Sequence, residues 1–499
     1  MTTALFVRRF LADYARNPVN LLVLLLIPVV LVVVAAPSLA DAAQLLGGAS
    51  GGPAVETLTA GWAAGFLAGV AMYFQISAAQ DVDRRLVISG LPAARLVTAR
   101  LLTGLTLAAV ASAAALVDLA LRTGIDTPAR VAAGTLMFAA IYLAIGAIVG
   151  AAVRNPVNGT VLILFVWILD VFFGPTLTAP DRAATRGLPT HFVSLWMVDL
   201  PSRHGGRISD LGWALIWTVG AVAAAFTVVA ATTRVAQARR WHATPGSVAD
   251  QLVGATGMGL RDWRRNPVLA VLLVVVPAVF IWLSDAITPR GHTPVVLAEN
   301  GRRVTEMLDP AHIHAGTMAP IAIASLATLA GLFLVLDIRT GDQRLALAGL
   351  RTGVLLAARL TVVALAALVA TAASLAVTAT VFDAHQRGLY AAANTLLALT
   401  YGLLGVLIGP LFGRVSGVFI AFLIPFLDIG IGQSPMLRAE PATWAQYLPG
   451  YGSTRLVMDG ALTASFDEIG ALIIALAWFA ALLVAAILLF RRTTRPATS

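Results

Sequence analysis

The chain has 499 residues, of which 59% are hydrophobic and only 12% charged, against roughly 25% charged in an average soluble domain. Soluble domains of this length need far more polar surface, so the composition excludes them and defines a polytopic membrane protein. The formal net charge of +9 comes with no basic tail and no basic patch interleaved with aromatics, so it reads as loop charge facing an anionic leaflet, with no nucleic-acid partner.

There are no cysteines, and lysine is absent as well: all 34 basic residues are arginine. Disulfides and thiolate metal sites are thereby excluded. A P-loop needs a lysine to reach the β and γ phosphates. The chain is therefore expected to be no ATPase and no enzyme of its own, with no cofactor bound to it.

The N-terminus "FVRRFLADYARNP" precedes an apolar run and superficially resembles a signal peptide. The run from Val19 to Ala36 is long enough to span a bilayer, and a similar arrangement returns far inside the chain. Met1 to Arg16 is therefore read as an amphipathic surface helix, with Phe6, Phe10 and Tyr14 recurring every four residues and Arg8, Arg9 and Arg16 available to lipid headgroups.

Hydropathy then predicts twelve spans. In the first half they are 19–36, 58–79, 97–120, 131–153, 157–174 and 211–231. In the second they are 268–285, 316–336, 354–381, 390–412, 415–432 and 469–490. The expected fold is all-α, two parallel six-helix repeats, each behind its own surface helix. The expected domains are 1–233 and 252–499, joined by a cytoplasmic linker at 234–251, "RVAQARRWHATPGSVADQ".

The repeat rests on landmarks in the same order. Asp13, Asn17, Pro18 and Pro28 return as Asp262, Asn266, Pro267 and Pro277. "DRRLVISGL" (83–91) returns as "DQRLALAGL" (342–350), each followed by an arginine, Arg100 or Arg359. Tyr142, Gly146 and Gly150 return as Tyr401, Gly405 and Gly409. "ILDVFFG" (168–174) returns as "FLDIGIG" (426–432), and "LPTHFVSLWMVD" (188–199) as "LPGYGSTRLVMD" (448–459). Most arginines fall in the segments that an inside N-terminus makes cytoplasmic, so both termini are expected to be cytoplasmic.

Three sets of residues invite a role. The D-x-R-L-x-x-x-G-L loops, read as short surface helices turned by Gly90 or Gly349, recur with both charge signs and fit a docking knob for a cytoplasmic partner. The plainer alternative is a solvated turn. Asp170 and Asp428 are intramembrane carboxylates late in the fifth spans, either binding a cationic substrate group, carrying protons or pairing with an arginine, or capping backbone groups at a kink. Gly146, Gly150, Gly405 and Gly409 allow close helix packing. His312 and His314, with His292 upstream, form only a weak metal-ligand pattern, and no metal is expected. No nucleophile–base pair is legible.

Surface helix with R-N-P, two spans, a charged loop ending G-L, four more spans and an extended outer segment: this order resembles the type-2 ABC exporter permease family, over the whole chain and twice. The resemblance implies that Asp83, Arg85, Leu86, Gly90 and Leu91, with Asp342, Arg344, Leu345, Gly349 and Leu350, form the loops that couple to the ATPase. It implies re-entrant helices in 175–208 and 433–465. It also implies two copies of a cytoplasmic P-loop ATPase as partner, with ATP and Mg on that partner. One departure is that "DVDRRL" and "RTGDQRL" replace the family's glutamate-rich stretch. The expected function is the membrane subunit of an exporter of a hydrophobic or amphipathic compound, a drug, antibiotic or lipid, in a bacterial plasma membrane. The alternative is a proton-coupled secondary transporter of the twelve-helix facilitator type, with Asp170 and Asp428 as proton carriers. A membrane enzyme or scaffold is a third class without a visible catalytic constellation.

Overall fold

The computed structural model describes residues 3–45, 52–177, 183–200, 204–233, 267–299, 301–347, 352–441 and 443–493. The chain forms two compact units, Met1–Arg240 and Trp241–Ser499. The expected linker at 234–251, the second surface helix with Asp262 and Asn266, and the loop residues Gly349 and Leu350 lie outside the described residues.

In the first unit, helix α1 (Thr3–Ala15) is followed at once by α2 (Pro18–Val30). Asn17 caps α2 by accepting from the Val19 N–H at 3.1 Å, and Pro18 opens it where a missing N–H costs nothing. The helical run continues through a π-helical turn, Leu31–Ala35, into α3 (Ala36–Leu45). A π turn leaves carbonyls without their usual partners. Here the Arg122 guanidinium donates to Val32 O at 2.7 Å and to Glu56 at 3.2 Å.

Helix α4 (Gly52–Ile88) has 37 residues. At 1.5 Å per residue it is about 55 Å long, well beyond the ~30 Å apolar core of a bilayer. The sequence suggests a separate short surface helix at 83–91. Instead these residues form the last turns of α4, because no breaker intervenes before Gly90. Helices α5 (Ala93–Arg122), α6 (Pro128–Ala152) and α7 (Pro156–Phe173) follow, then a short α8 (His191–Met197) and α9 (Ile208–Thr232). The cap-and-proline device recurs at α7, where Asn155 accepts from Val157 N at 2.9 Å.

Helices α4 and α6 touch backbone to backbone. A side chain on Gly146 would overlap the carbonyl of Gly69, and one on Gly150 would lie 2.8 Å from Tyr73 O. Around this seam Ala64, Ala68, Met72, Ala139 and Leu143 form an apolar core.

The second unit contains α10 (Pro267–Ile287), α11 (Pro310–Leu347), α12 (Thr352–Thr378), α13 (Arg387–Pro425), α14 (Tyr451–Leu462) and α15 (Ile469–Thr493). Its seam has the same form. A side chain on Gly405 would overlap Thr328 O, and one on Gly409 would lie 3.1 Å from Leu332 O.

Among the described residues, ten helices are long and apolar enough to cross a membrane, and Val271–Ala286 is a shorter apolar helix. One of the ten, Arg387–Gly432, runs for 46 residues and covers both 390–412 and 415–432. It is not straight. Gly413 sits at φ 73°, ψ −167°, a conformation that side chains disfavour. Tyr401 and Asp428, on its two arms, hydrogen-bond to each other. In an unbroken helix they would be about 40 Å apart, so the chain doubles back at Gly413.

One element departs from the all-α expectation. Strands β1 (Thr293–Glu299) and β2 (Arg302–Leu308) form an antiparallel hairpin between α10 and α11, with Glu299 opposite Arg302. Gly301 takes φ 72° at its turn. Val295 and Leu297 are buried against Ile313 and Met458. The Val296 carbonyl accepts from Arg455 at 3.2 Å. Beside the hairpin, Arg290 bonds Asp309 at 2.9 Å. That contact holds the Asp309 carboxyl below its ordinary range.

Candidate functional site

The charged end of α4 is built on one buried pair. Arg100, near the start of α5, donates to Asp83 through Nη2 at 2.8 Å and through Nε at 3.1 Å. The Phe10 ring of α1 lies 3.7 Å from the Arg100 guanidinium carbon, so the cation is held by a carboxylate and an aromatic face at once. Asp83 and Arg100 are 4% and 9% exposed, which places this ion pair inside the protein rather than on its surface.

The helix then stops on Gly90, at φ 98°. Leu91 N bonds Leu86 O and Gly90 N bonds Val87 O, both at 3.0 Å, the paired closure of a Schellman turn. Leu86 and Leu91 pack beneath Phe6 with Leu96 and Ala99. Of the five residues expected to couple in this loop, Arg85 alone presents a solvent-facing side chain, since Gly90 carries none. Two apolar residues absent from that set share its face: Val82 is 55% and Ile88 78% exposed. The spacing 82, 85, 88 is a helical stripe. It becomes legible only once the segment is known to continue α4.

The same end of α4 is bonded to its neighbours. Tyr73 donates to Asn155 O at 3.0 Å, Gln80 to Gly150 O at 2.7 Å, and Arg84 to Thr232 O at 3.4 Å. The Gly150 and Thr232 carbonyls lie in the last turns of α6 and α9, which lack intrahelical donors, whereas Asn155 O, at the start of α7, also accepts from Gly159 N at 3.1 Å. The end of α4 is thus tied to α5 through Asp83–Arg100 and to α6, the start of α7 and α9 through these bonds.

In the second unit Asp342, Arg344 and Leu345 fall in the last turns of α11, and their side chains are outside the described set. Arg359, at the place of Arg100, is 4% exposed.

Asp170 and Asp428 each sit at a junction of three elements. Asp170 accepts from the Tyr142 hydroxyl at 2.7 Å, from Thr190 Oγ1 at 2.6 Å and from Thr190 N at 3.3 Å. Thr190 immediately precedes α8. Asp428 accepts from the Tyr401 hydroxyl, from Gly450 N at 2.8 Å and from Gln433 Nε2 at 3.3 Å. Gly450 immediately precedes α14. A side chain there would put its Cβ 2.8 Å from Asp428 Oδ1, so glycine is what lets the carboxylate reach the backbone. Both oxygens of each carboxylate are occupied by donors of the chain itself.

The histidines are apart in role. His314 Nδ1 bonds Thr288 Oγ1 at 2.6 Å, and the His312 ring lies 4.5 Å from that of Phe382. Among the described residues no cluster of three or more His, Cys, Asp or Glu is placed to hold a metal ion.

Many apolar helices make this a multi-pass membrane protein, and the charged end of α4 sits within its first unit. Residues 58–231, from α4 through α9, match the family described as ABC-2 family transporter protein. The chain thus resembles a type-2 ABC permease in sequence and in this family match, and such permeases work with an ATPase subunit. The proton-coupled alternative is not favoured by the match. No curated protein matches the chain.

Proposed function

We propose that this chain is the membrane subunit of an ATP-driven ABC exporter, two fused six-helix halves making twelve crossings. The observation that carries this is the exposed stripe of Val82, Arg85 and Ile88 at the end of α4, inside the matched residues 58–231. A projecting helix end with one cation between two apolar side chains suits a cleft on a cytoplasmic protein. Having no lysine, the chain leaves ATP and Mg to a P-loop partner, bound in two copies, one per half.

Duplication is supported by paired contacts. Gly146 lies on Gly69 as Gly405 lies on Thr328. Tyr142 and Thr190 hold Asp170 as Tyr401 and Gly450 hold Asp428. Because every oxygen of these carboxylates is engaged, Asp170 and Asp428 are assigned to structure: they fasten α8 and α14 to the spans. Walls of Ala, Leu, Val and Phe suit a hydrophobic or amphipathic cargo, a drug, antibiotic or lipid. The arginine pattern puts both termini in the cytoplasm, and the all-arginine usage fits a GC-rich bacterium and its plasma membrane.

The test is a pull-down from native membranes in mild detergent, followed by an ATPase assay. Wild type is expected to recover a P-loop subunit, and the double variant Arg85→Glu, Ile88→Glu to lose it while remaining folded. Wild type recovering no ATPase, with transport in vesicles following an imposed pH gradient, would overturn the proposal.

A further inference from the structure

Between α1 and α5 lies a groove of about 760 Å³, within the size range of small-molecule sites. Val7, Arg8 and Leu11 line one side, and Leu102, Leu105 and Ala109 the other. The spacing explains the walls. Residues 7, 8 and 11 form one stripe of α1, beside the stripe of Phe6 and Phe10 that packs onto the protein. Residues 102, 105 and 109 form one stripe of α5. Leu102 and Leu105 remain 44% and 45% exposed, so the apolar floor is only partly covered by the described residues.

Charge at the groove is one-sided. Arg16 is paired with Asp13 at 2.8 Å. Among the described residues no carboxylate is paired with Arg8 or Arg9, and both are exposed. With α1 at headgroup depth, as its amphipathic sequence implies, and α5 in the hydrocarbon, the groove runs from one region to the other. Its cationic end is a guanidinium, whose fork matches a phosphate.

We propose that this groove is a binding site for an anionic phospholipid, with one acyl chain along Leu102, Leu105 and Ala109 and the phosphate on Arg8. The site needs the chain to be membrane-embedded, and it is independent of the ATPase partnership. The anionic preference comes from Arg8, the cation that lines the groove: one cation at a membrane surface contributes about 1 kcal/mol, roughly fivefold in occupancy.

The test uses the full chain in lipid nanodiscs doped with phosphatidylglycerol carrying a photoactivatable acyl chain, with the matching phosphatidylcholine as control. Crosslinks are mapped by peptide mass spectrometry. In wild type, phosphatidylglycerol is expected to label 3–11 and 102–109 about fivefold more than phosphatidylcholine does. Arg8→Gln should bring that ratio close to one. Ala109→Phe, which fills the floor, should lower labelling by both lipids there and leave other helices unchanged. Both variants should still recover the ATPase, which separates this test from the previous one. Equal labelling by the two lipids in wild type, or labelling spread evenly over all lipid-facing helices, would overturn the site.

Discussion

The Tyr142 hydroxyl donates to Asp170 at 2.7 Å, and the Tyr401 hydroxyl donates to Asp428 in the other unit. Each bond joins two spans, and each carboxylate then reaches the residue that opens a short helix. A buried carboxylate in hydrocarbon is costly unless its lone pairs are used. Tyr142→Phe is expected to cost about 1–3 kcal/mol. Ten tryptophans supply a fluorescence readout of melting in detergent. Asp170→Asn should lower the melting temperature yet keep transport. Abolished transport at an unaltered melting temperature would instead place Asp170 on the substrate or proton path.

The Asp83–Arg100 pair sets the position of the α4 tip, and breaking one side leaves the other charge buried. Asp83→Ala or Arg100→Ala should each cost about 3–5 kcal/mol, with strong coupling in the double mutant. The double-mutant cycle is read by thermal melting. Additive single effects would mean that the two groups do not depend on each other. The same cycle on Asp342 and Arg359 tests whether the second half is built alike.

The glycine seams have no slack. Gly146→Ala forces a methyl group onto the Gly69 carbonyl, and the expected loss is about 3 kcal/mol with reduced folded yield. Gly220→Ala on α9 meets nothing within 4 Å and should be neutral or stabilising by up to about 1 kcal/mol. Size-exclusion profiles of the two variants decide this. Equal behaviour would mean that α4 and α6 can separate freely.

The β1–β2 hairpin should loosen in acid. Arg290 holds Asp309 below its ordinary carboxylate range, first through the hydrogen bond. A depressed carboxylate binds protons less readily in the folded than in the unfolded chain. Its contribution is therefore complete above the unfolded value, about pH 4, and lost as pH falls through the folded value. Hydrogen exchange across 293–308 should rise there in wild type and show a weaker pH dependence in Asp309→Asn. Identical profiles would remove this pair as the cause.

Much of this molecule is legible in its sequence. Hydropathy adds up along a segment whatever the segment later touches, so the membrane class and most helices follow from composition alone. Asn17-Pro18 and Asn155-Pro156 announce helix starts because capping is local chemistry. Gly90 announces a stop for the same reason. Asn300-Gly301 is the strongest short hairpin signal, and a search for spans passes over it.

What the sequence leaves open is direction. A buried residue's role depends on which neighbour it faces, and that neighbour lies on another helix. Asp83 reads as a surface charge, yet Arg100 and Phe10 enclose it. Asp170 and Asp428 read either as functional carboxylates or as caps of backbone groups at a kink; which donors occupy them, tyrosine hydroxyls and backbone N–H groups from other elements, is visible only in the fold. The reversal at Gly413 falls between the expected spans 390–412 and 415–432, but which side chains meet across it, Tyr401 and Asp428 among them, is fixed only by the contacts of the two arms. Segment chemistry determined what crosses the membrane; packing between segments decided which polar groups are left free to act.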